Sequence, residues 1–239
     1  FVWVGVHFGS RGLGHKTANG FMALSQNGDI FSKPKQIETL LDMNSEIGQR
    51  YYDAMLLCGE YAYAGREWVC DTVQNIINAN RIYSVHNHHN FAWKETHDNQ
   101  ELYVIRKGAT PCFPGQEGFV GGSMGDDAVI IEGIDSKRSK DSLYSTIHGA
   151  GRVMSRSEAA GKQKWIKGPD GKKIPHRVTD GKISRDMMNK WIKNKNVKLR
   201  GGGCDESPHA YKRLENVLKE HEGTIKVNHV LSPVGVVMA

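Results

Sequence analysis

Residues 102–134, LYVIRKGATPCFPGQEGFVGGSMGDDAVIIEGI, decide the fold class. LYVIRKGA (102–109) and AVIIEGI (128–134) are short runs rich in β-branched and aromatic residues, the pattern of strands, and the Gly/Pro-rich stretch between them breaks regular structure. Upstream, residues 45–79 place Met55, Leu56, Tyr63, Trp68, Val69, Val73 and Ile76 at helical spacing, which predicts one long helix or two joined. Downstream, Ser155 to Ala160 reads as helical, and KRLENVLKEH (212–221) as a charged amphipathic helix before a last strand, VGVVMA (234–239). Helices and strands intermix without regular alternation, so the expected class is α+β, or mixed α/β, in one domain with elaborations.

Three further segments extend this reading. FVWVGVHF (1–8) has the composition of a strand, and a chain that opens inside such a strand is expected to have lost an N-terminal part. GSRGLGH (9–15) reads as a glycine-rich turn, followed by a polar stretch to about Gln36 that is loop or short helix. RIYSVHNHHN (81–90) reads as a strand running into a histidine-rich turn.

The 239-residue chain carries a net charge of +6, with a mean hydropathy of -0.51. It has no apolar run near the roughly 20 residues that span a bilayer, and no export signal. A cytoplasmic protein is expected. Cys58, Cys70, Cys112 and Cys204 are widely spaced and form no CxxC pair, which argues against a zinc knuckle or a disulfide framework and for reduced thiols. The positive charge suits a polyanionic partner. It is concentrated in a basic insertion at about 161–203: residues 161–200 hold thirteen Lys/Arg against three Asp, together with Trp165 and Trp191. Cations interleaved with aromatics suit single-stranded nucleic acid, although a solvated surface insertion reads the same residues as well.

The motifs that carry chemistry lie around histidines and glycines. His7 closes the opening segment, and His86, His88 and His89 crowd the end of another; neutral imidazoles on rigid elements are good ligands for divalent transition metals. GSRGLG has its glycines in the order GxxGxG, so it is neither the dinucleotide fingerprint nor a P-loop, and Arg11 within it offers a forked phosphate donor. In HGAGRVMSR (148–156) little side-chain bulk screens His148, while Arg152 and Arg156 lie four apart. An imidazole beside exposed amides and guanidinium groups is equipped for attack on a phosphoryl centre. A glycine turn leading into a basic surface helix accounts for the same residues. RKGATP and GGSMG add Lys107 and Ser123 on loops of the kind that bind ligands.

Taken in order, HFGSRGLGH, HNHHNFA, YVIRKGA, GSMG, HGAGRVMSR and ESPHAYK resemble the RtcB family of RNA-splicing and RNA-repair ligases across nearly the whole chain. The resemblance implies an RtcB-like catalytic domain, present here as its C-terminal portion. The implied enzyme depends on GTP and on Mn²⁺, with two ions, and joins 3′-phosphate or 2′,3′-cyclic phosphate RNA ends to 5′-hydroxyl ends. By that resemblance His148 takes GMP from GTP, and His7 and His89 bind metal. Asn90, Gly121, Gly122, Ser123, Met124, His148, Gly149, Ala150, Gly151 and Tyr211 form the guanylate pocket. Arg11, Lys107 and Arg156 hold RNA-end phosphates, with Arg152 added by proximity. The partners implied are RNA with broken ends, such as tRNA halves, and an activating protein such as archease.

The sequence departs from the family in three ways. The family's metal-binding Asp and Cys and its Asn-His motif lie upstream of Phe1. Met238 stands where the family has a lysine that reaches the guanine, and methionine donates no hydrogen bond there. Gly121 replaces the proline of PGSMG. These departures keep open a non-catalytic RNA-binding or regulatory homologue, and, more remotely, an enzyme that activates an RNA phosphate without sealing it.

Overall fold

A computed structural model describes residues 1–238, which divide into two compact units, Phe1–Ser84 and Val85–Ala239. The first unit is built on two helices, α1 (Arg11–Ser25) and α2 (Glu46–Ile76). The Ser45 side chain accepts from the Gly48 amide at 3.1 Å and caps α2, with Glu46 favourably placed in the first turn. Helical spacing over 45–79 is therefore borne out as one helix. Its buried face is not the apolar set that the spacing picked out. Leu56, Tyr63, Trp68 and Ile76 are exposed, while the small residues Gly48, Cys58, Gly59 and Ala62 are buried with Arg66, whose guanidinium donates to the Phe8 carbonyl at 2.8 Å.

Two expectations for this unit are corrected. FVWVGVHF forms no strand: residues 1–10 enter no ladder among the described residues, and the first unit holds no second strand with which they could pair. Strand composition without a partner backbone leaves the amide groups unladdered. GSRGLGH is not a turn either. Arg11, with φ of 56°, starts α1, and Gly12 and Gly14 lie within the helix. A Cβ on Gly14 would stand 2.2 Å from the Ser10 Oγ, so this glycine serves the packing of the helix start.

The second unit contains β1 (Asn90–His97), β2 (Gln100–Lys107), β3 (Ala109–Pro111), β4 (Glu117–Val120), β5 (Ala128–Gly133), α3 (Lys137–Asp141), β6 (Ser145–Ile147), α4 (Arg156–Ala160), β7 (Gly161–Lys167), β8 (Lys173–Asp180), α5 (Arg185–Asn194), β9 (Lys198–Gly201), α6 (Leu214–Lys219), β10 (Ile225–Leu231) and β11 (Gly235–Met238). The fold is α+β, as expected, and both strands of the 102–134 stretch are present as β2 and β5. β5 lies between β4 and β10, antiparallel to both. Val129, Ile130 and Ile131 are all buried, so this run is covered on both faces, which is why it lacks alternation. Around it pack Cys112, Val120, Ala150, Leu214 and Ile225.

RIYSVHNHHN is corrected in detail. Residues 81–88 are irregular, and the strand begins only at Asn90, after the histidines. The basic segment is also more ordered than its composition suggested: it forms a β7–β8 ribbon, then α5, capped by Ser184, and β9. Trp191 joins Met124, Met188, Ile192, Val197, Leu199, Val236 and Met238 in a second apolar cluster. All four cysteines are free thiols.

Candidate active site

The strand pattern brings two of the histidines together. β2 ends at Lys107 opposite Asn90 of β1, and β3 begins at Ala109 opposite Ile147 of β6. Gly108 is the one residue between them. His89 precedes β1 and His148 follows β6, so the two ladders deliver both rings to the same glycine. The rings stack with centroids 4.8 Å apart and planes inclined by 16°. The Gly108 amide donates to the His89 carbonyl at 2.7 Å and to the Asn90 Oδ1 at 3.0 Å. The Gly108 carbonyl accepts from Nδ1 of His148 at 2.6 Å.

That last bond sets the chemistry of the imidazole. A carbonyl only accepts, so Nδ1 carries the proton, and in the neutral ring the lone pair is then on Nε2. His148 is half-buried, and no large side chain follows it until Arg152. Gly108 has φ of +70°, and a Cβ there would lie 3.4 Å from Cε1 of His148. The left-handed backbone favours glycine, while the ring lies at ordinary van der Waals distance from that position.

The histidine turn is itself pinned. Asn87 donates to the Thr110 Oγ1 at 3.1 Å and accepts from the Phe119 amide at 3.0 Å, while Thr110 Oγ1 donates to the His88 carbonyl at 2.8 Å. Asn87, Thr110 and Gly108 were not singled out from the sequence. The Gly108 signal was present, as an isolated glycine ending a strand run.

The other motifs are joined to His148 through backbone. Gly149 bridges Gly121, and the Ala150 amide donates to the Gly121 carbonyl at 3.3 Å. Arg152 bridges Tyr211, and the Lys212 amide donates to the Gly151 carbonyl at 2.9 Å. Within GGSMG the residues divide between tasks. A Cβ on Gly122 would meet the Asp127 carbonyl at 2.2 Å. Ser123 donates to Asp126 at 2.8 Å, and Asp126 pairs with Arg213 at 3.1 Å. Met124 is buried in the second apolar cluster.

The two arginines differ. Arg152 donates to the carbonyls of Met154 and Asp205 and to the Tyr211 hydroxyl, and its guanidinium lies 4.8 Å from the centre of the Tyr211 ring. Arg156 is exposed and pairs with Asp205 at 3.1 Å and Glu206 at 2.7 Å. Tyr211 donates to Glu206, and its phenol is pushed up to about 12 by burial, reinforced by that carboxylate. Asp205 and Glu206, also missed from the sequence, organise this corner. Lys107 is exposed at the end of β2. His7 and Arg11 belong to the first unit.

Among the described residues no three His, Cys, Asp or Glu side chains converge as a metal site. The stacked His89–His148 pair is suitable donor chemistry for a transition metal, but it is not a coordination shell. Among the described residues no helix is long and apolar enough to cross a membrane.

The family model of the tRNA-splicing ligase RtcB matches residues 1–239. The chain belongs to the RtcB family. It is 30% identical to the tRNA-splicing ligase RtcB of Pyrococcus abyssi over 98% of this chain and 27% of the relative. It is 32% identical to RNA-splicing ligase RtcB homolog 1 of Entamoeba dispar over 91% of this chain and 42% of the relative. With the RNA-splicing ligase RtcB of Escherichia coli K12 it shares 33% identity over 66% of this chain and 41% of the relative. The chain thus spans between about a quarter and a half of the length of these relatives.

Proposed function

We propose that this chain carries the nucleotide-accepting site of an RNA ligase, with His148 as the nucleophile that takes GMP from GTP. The observation that carries the reading is the Nδ1–H bond to the Gly108 carbonyl, which leaves Nε2 as the attacking atom on a ring stacked against His89. Nε2 forms a bond to the α-phosphorus, the bond to the bridging oxygen breaks, and pyrophosphate leaves. Nδ1 keeps its proton throughout, and Gly108 stabilises the charge that develops on the ring. The GMP then passes to an RNA 3′-phosphate, where attack by a 5′-hydroxyl expels GMP and closes the strand.

His7 and His89 are the residues assigned to metal. Bound Mn²⁺ would neutralise phosphate charge. The two histidines lie in different units, and the described residues offer no complete ligand set, so no step is derived through the metal. Asn90, Gly121 to Met124, His148 to Gly151 and Tyr211 form the nucleotide pocket in this reading. Lys107, Arg11 and Arg156 face RNA phosphates. Arg152 is reassigned as a positioning residue for Tyr211, because its donors are already committed. The two units would act as one catalytic domain. An activating protein such as archease and a cytoplasmic setting belong to the same reading.

A second reading, RNA binding without catalysis, is favoured by Met238. It packs with Met124 in the second apolar cluster and supplies no donor to a base. One experiment separates the two. The full-length protein, incubated with α-labelled GTP and Mn²⁺, is expected to retain an acid-labile label that His148→Asn abolishes. A folded, metal-loaded protein that stays unlabelled while still binding RNA refutes the ligase reading and supports the second. A label that survives His148→Asn refutes the assignment of the nucleophile.

A further inference from the structure

The β7–β8 ribbon has no part in the site described above, and its composition is not that of an ordinary surface hairpin. From Lys162 to Lys167 every residue of β7 is exposed, and so are Lys173, Ile174, His176 and Arg177 of β8. Each strand can therefore present both faces to solvent. The register pairs Gln163 with Arg177 and Lys167 with Lys173, with Trp165 between them on β7. Directly opposed residues share a face, so Trp165, Lys167, Lys173 and Arg177 line one side of the ribbon. The opposite side carries Lys164, Ile166, Ile174 and His176.

Two features of the first face point to a ligand. Trp165 is 68% exposed at the centre of three cations. Lys167 and Lys173 stand directly across the ladder from one another, which destabilises an isolated ribbon, and neither has an ion-pair partner among the described residues. Among the described residues Arg177 pairs with Asp180, at 2.9 Å, in a solvent-exposed bridge of the kind that contributes little and yields readily to a competing anion. A polyanion with flat apolar faces fits both features: phosphates relieve the opposed lysines, and an unstacked base covers the indole. An acidic protein would answer the charge but leaves the exposed tryptophan unexplained. Trp191, which the sequence grouped with Trp165, is excluded from such a role because it packs beneath Arg213, 4.2 Å from the guanidinium, in the second apolar cluster.

We infer that the β7–β8 ribbon is an arm that binds single-stranded RNA through Trp165, Lys167, Lys173 and Arg177, residues distinct from those assigned to the ends being joined. This deepens the proposed function and rests on its RNA substrate. The test compares the full-length protein with Trp165→Ala and with the triple variant Lys167→Glu, Lys173→Glu, Arg177→Glu. Affinity for a fluorescent single-stranded RNA is measured over a range of salt, and GMP labelling is measured in parallel. Trp165→Ala is expected to weaken binding by about 5- to 150-fold, the range for loss of one base stack. The triple variant should lower the salt slope by about 2, from three phosphates at about 0.7 each. Labelling should be unchanged in both.

RNA affinity equal to wild type in both variants overturns the arm, and leaves the ligase reading standing if labelling persists. Loss of binding in the variants of a protein that never labels supports the arm and refutes the ligase reading. Unchanged RNA affinity with loss of a captured protein from RNase-treated extract overturns RNA as the occupant.

Discussion

Substituting Gly108 by alanine tests the geometry on which the site depends. Gly108 holds φ at +70°, and a residue with a Cβ pays roughly 1–2 kcal/mol to occupy the left-handed region. The new methyl would stand 3.4 Å from Cε1 and 3.7 Å from Nδ1 of His148. These are ordinary contacts, so crowding adds little if the backbone stays in place. Relaxing the strain moves the Gly108 carbonyl, and with it the acceptor for His148 Nδ1, a hydrogen bond worth about 0.5–1.5 kcal/mol. The total is about 1.5–3.5 kcal/mol. At about 2–4 °C per kcal/mol for a chain of this size, the melting temperature should fall by about 3–14 °C. The functional loss should exceed the loss of stability, because a misplacement near 1 Å at a reacting atom costs on the order of 100-fold in rate. The assay is the initial rate of GMP labelling, read well below the variant's melting temperature in the full-length protein. A variant that melts early yet labels at the wild-type rate refutes the argument that Gly108 positions the nucleophile.

Two other perturbations follow from the packing around the site. Tyr211 is held neutral, its phenol pushed up to about 12 by burial and by Glu206. Its stabilising effect is therefore complete below the ordinary tyrosine range near pH 10 and is lost as the pH rises toward 12. Tyr211→Phe should flatten the alkaline fall in melting temperature between those limits, and an unchanged difference from wild type would refute the role given to the phenol. Gly125→Ala would place a methyl 2.9 Å from Cδ1 of Trp191 and 3.1 Å from Cδ1 of Ile192. Overpacking of this kind costs about 1–3 kcal/mol, so thermal denaturation should show a clear loss, accompanied by a change in tryptophan emission. Unaltered stability would mean that Trp191 has room to move.

What was legible in the sequence follows from how local each signal is. The strands LYVIRK and AVIIEG and the helix over 45–79 announce themselves through residues within one element. The site was legible as motifs, because HGAG, GGSMG and AYK are short and chemically marked. Their mutual arrangement was not. That Gly121 bridges Gly149, and that Arg152 bridges Tyr211, depends on pairings over 28 and 59 positions, which no local pattern encodes. FVWVGVHF failed for the converse reason: its residues suit a strand, but a strand is a property of two backbones. Glycines misled where they serve packing. Gly14, inside α1, makes room for Ser10, and Gly125 makes room for Trp191. The sequence shows only that a side chain is absent, not what fills the space.

The same limit governs the arginines of HGAGRVMSR, and the structure separates them by what already holds each one. Arg152 is three-quarters covered, spends its donors on two carbonyls and a phenol, and stacks on that phenol's ring. Turning it toward a phosphate would break all of these contacts and leave the Tyr211 hydroxyl without the donor that orients it. Arg156 has a side chain 70% exposed and is held by two carboxylates across solvent, an arrangement worth only about 0–1 kcal/mol per pair. In the proposed function an RNA phosphate would displace those carboxylates at little cost and gain a forked donor in exchange. Spacing four apart placed both arginines near His148, with Arg152 added by proximity alone; in the proposed site the loosely held Arg156 is the one that can turn to a phosphate, while the tightly held Arg152 positions Tyr211.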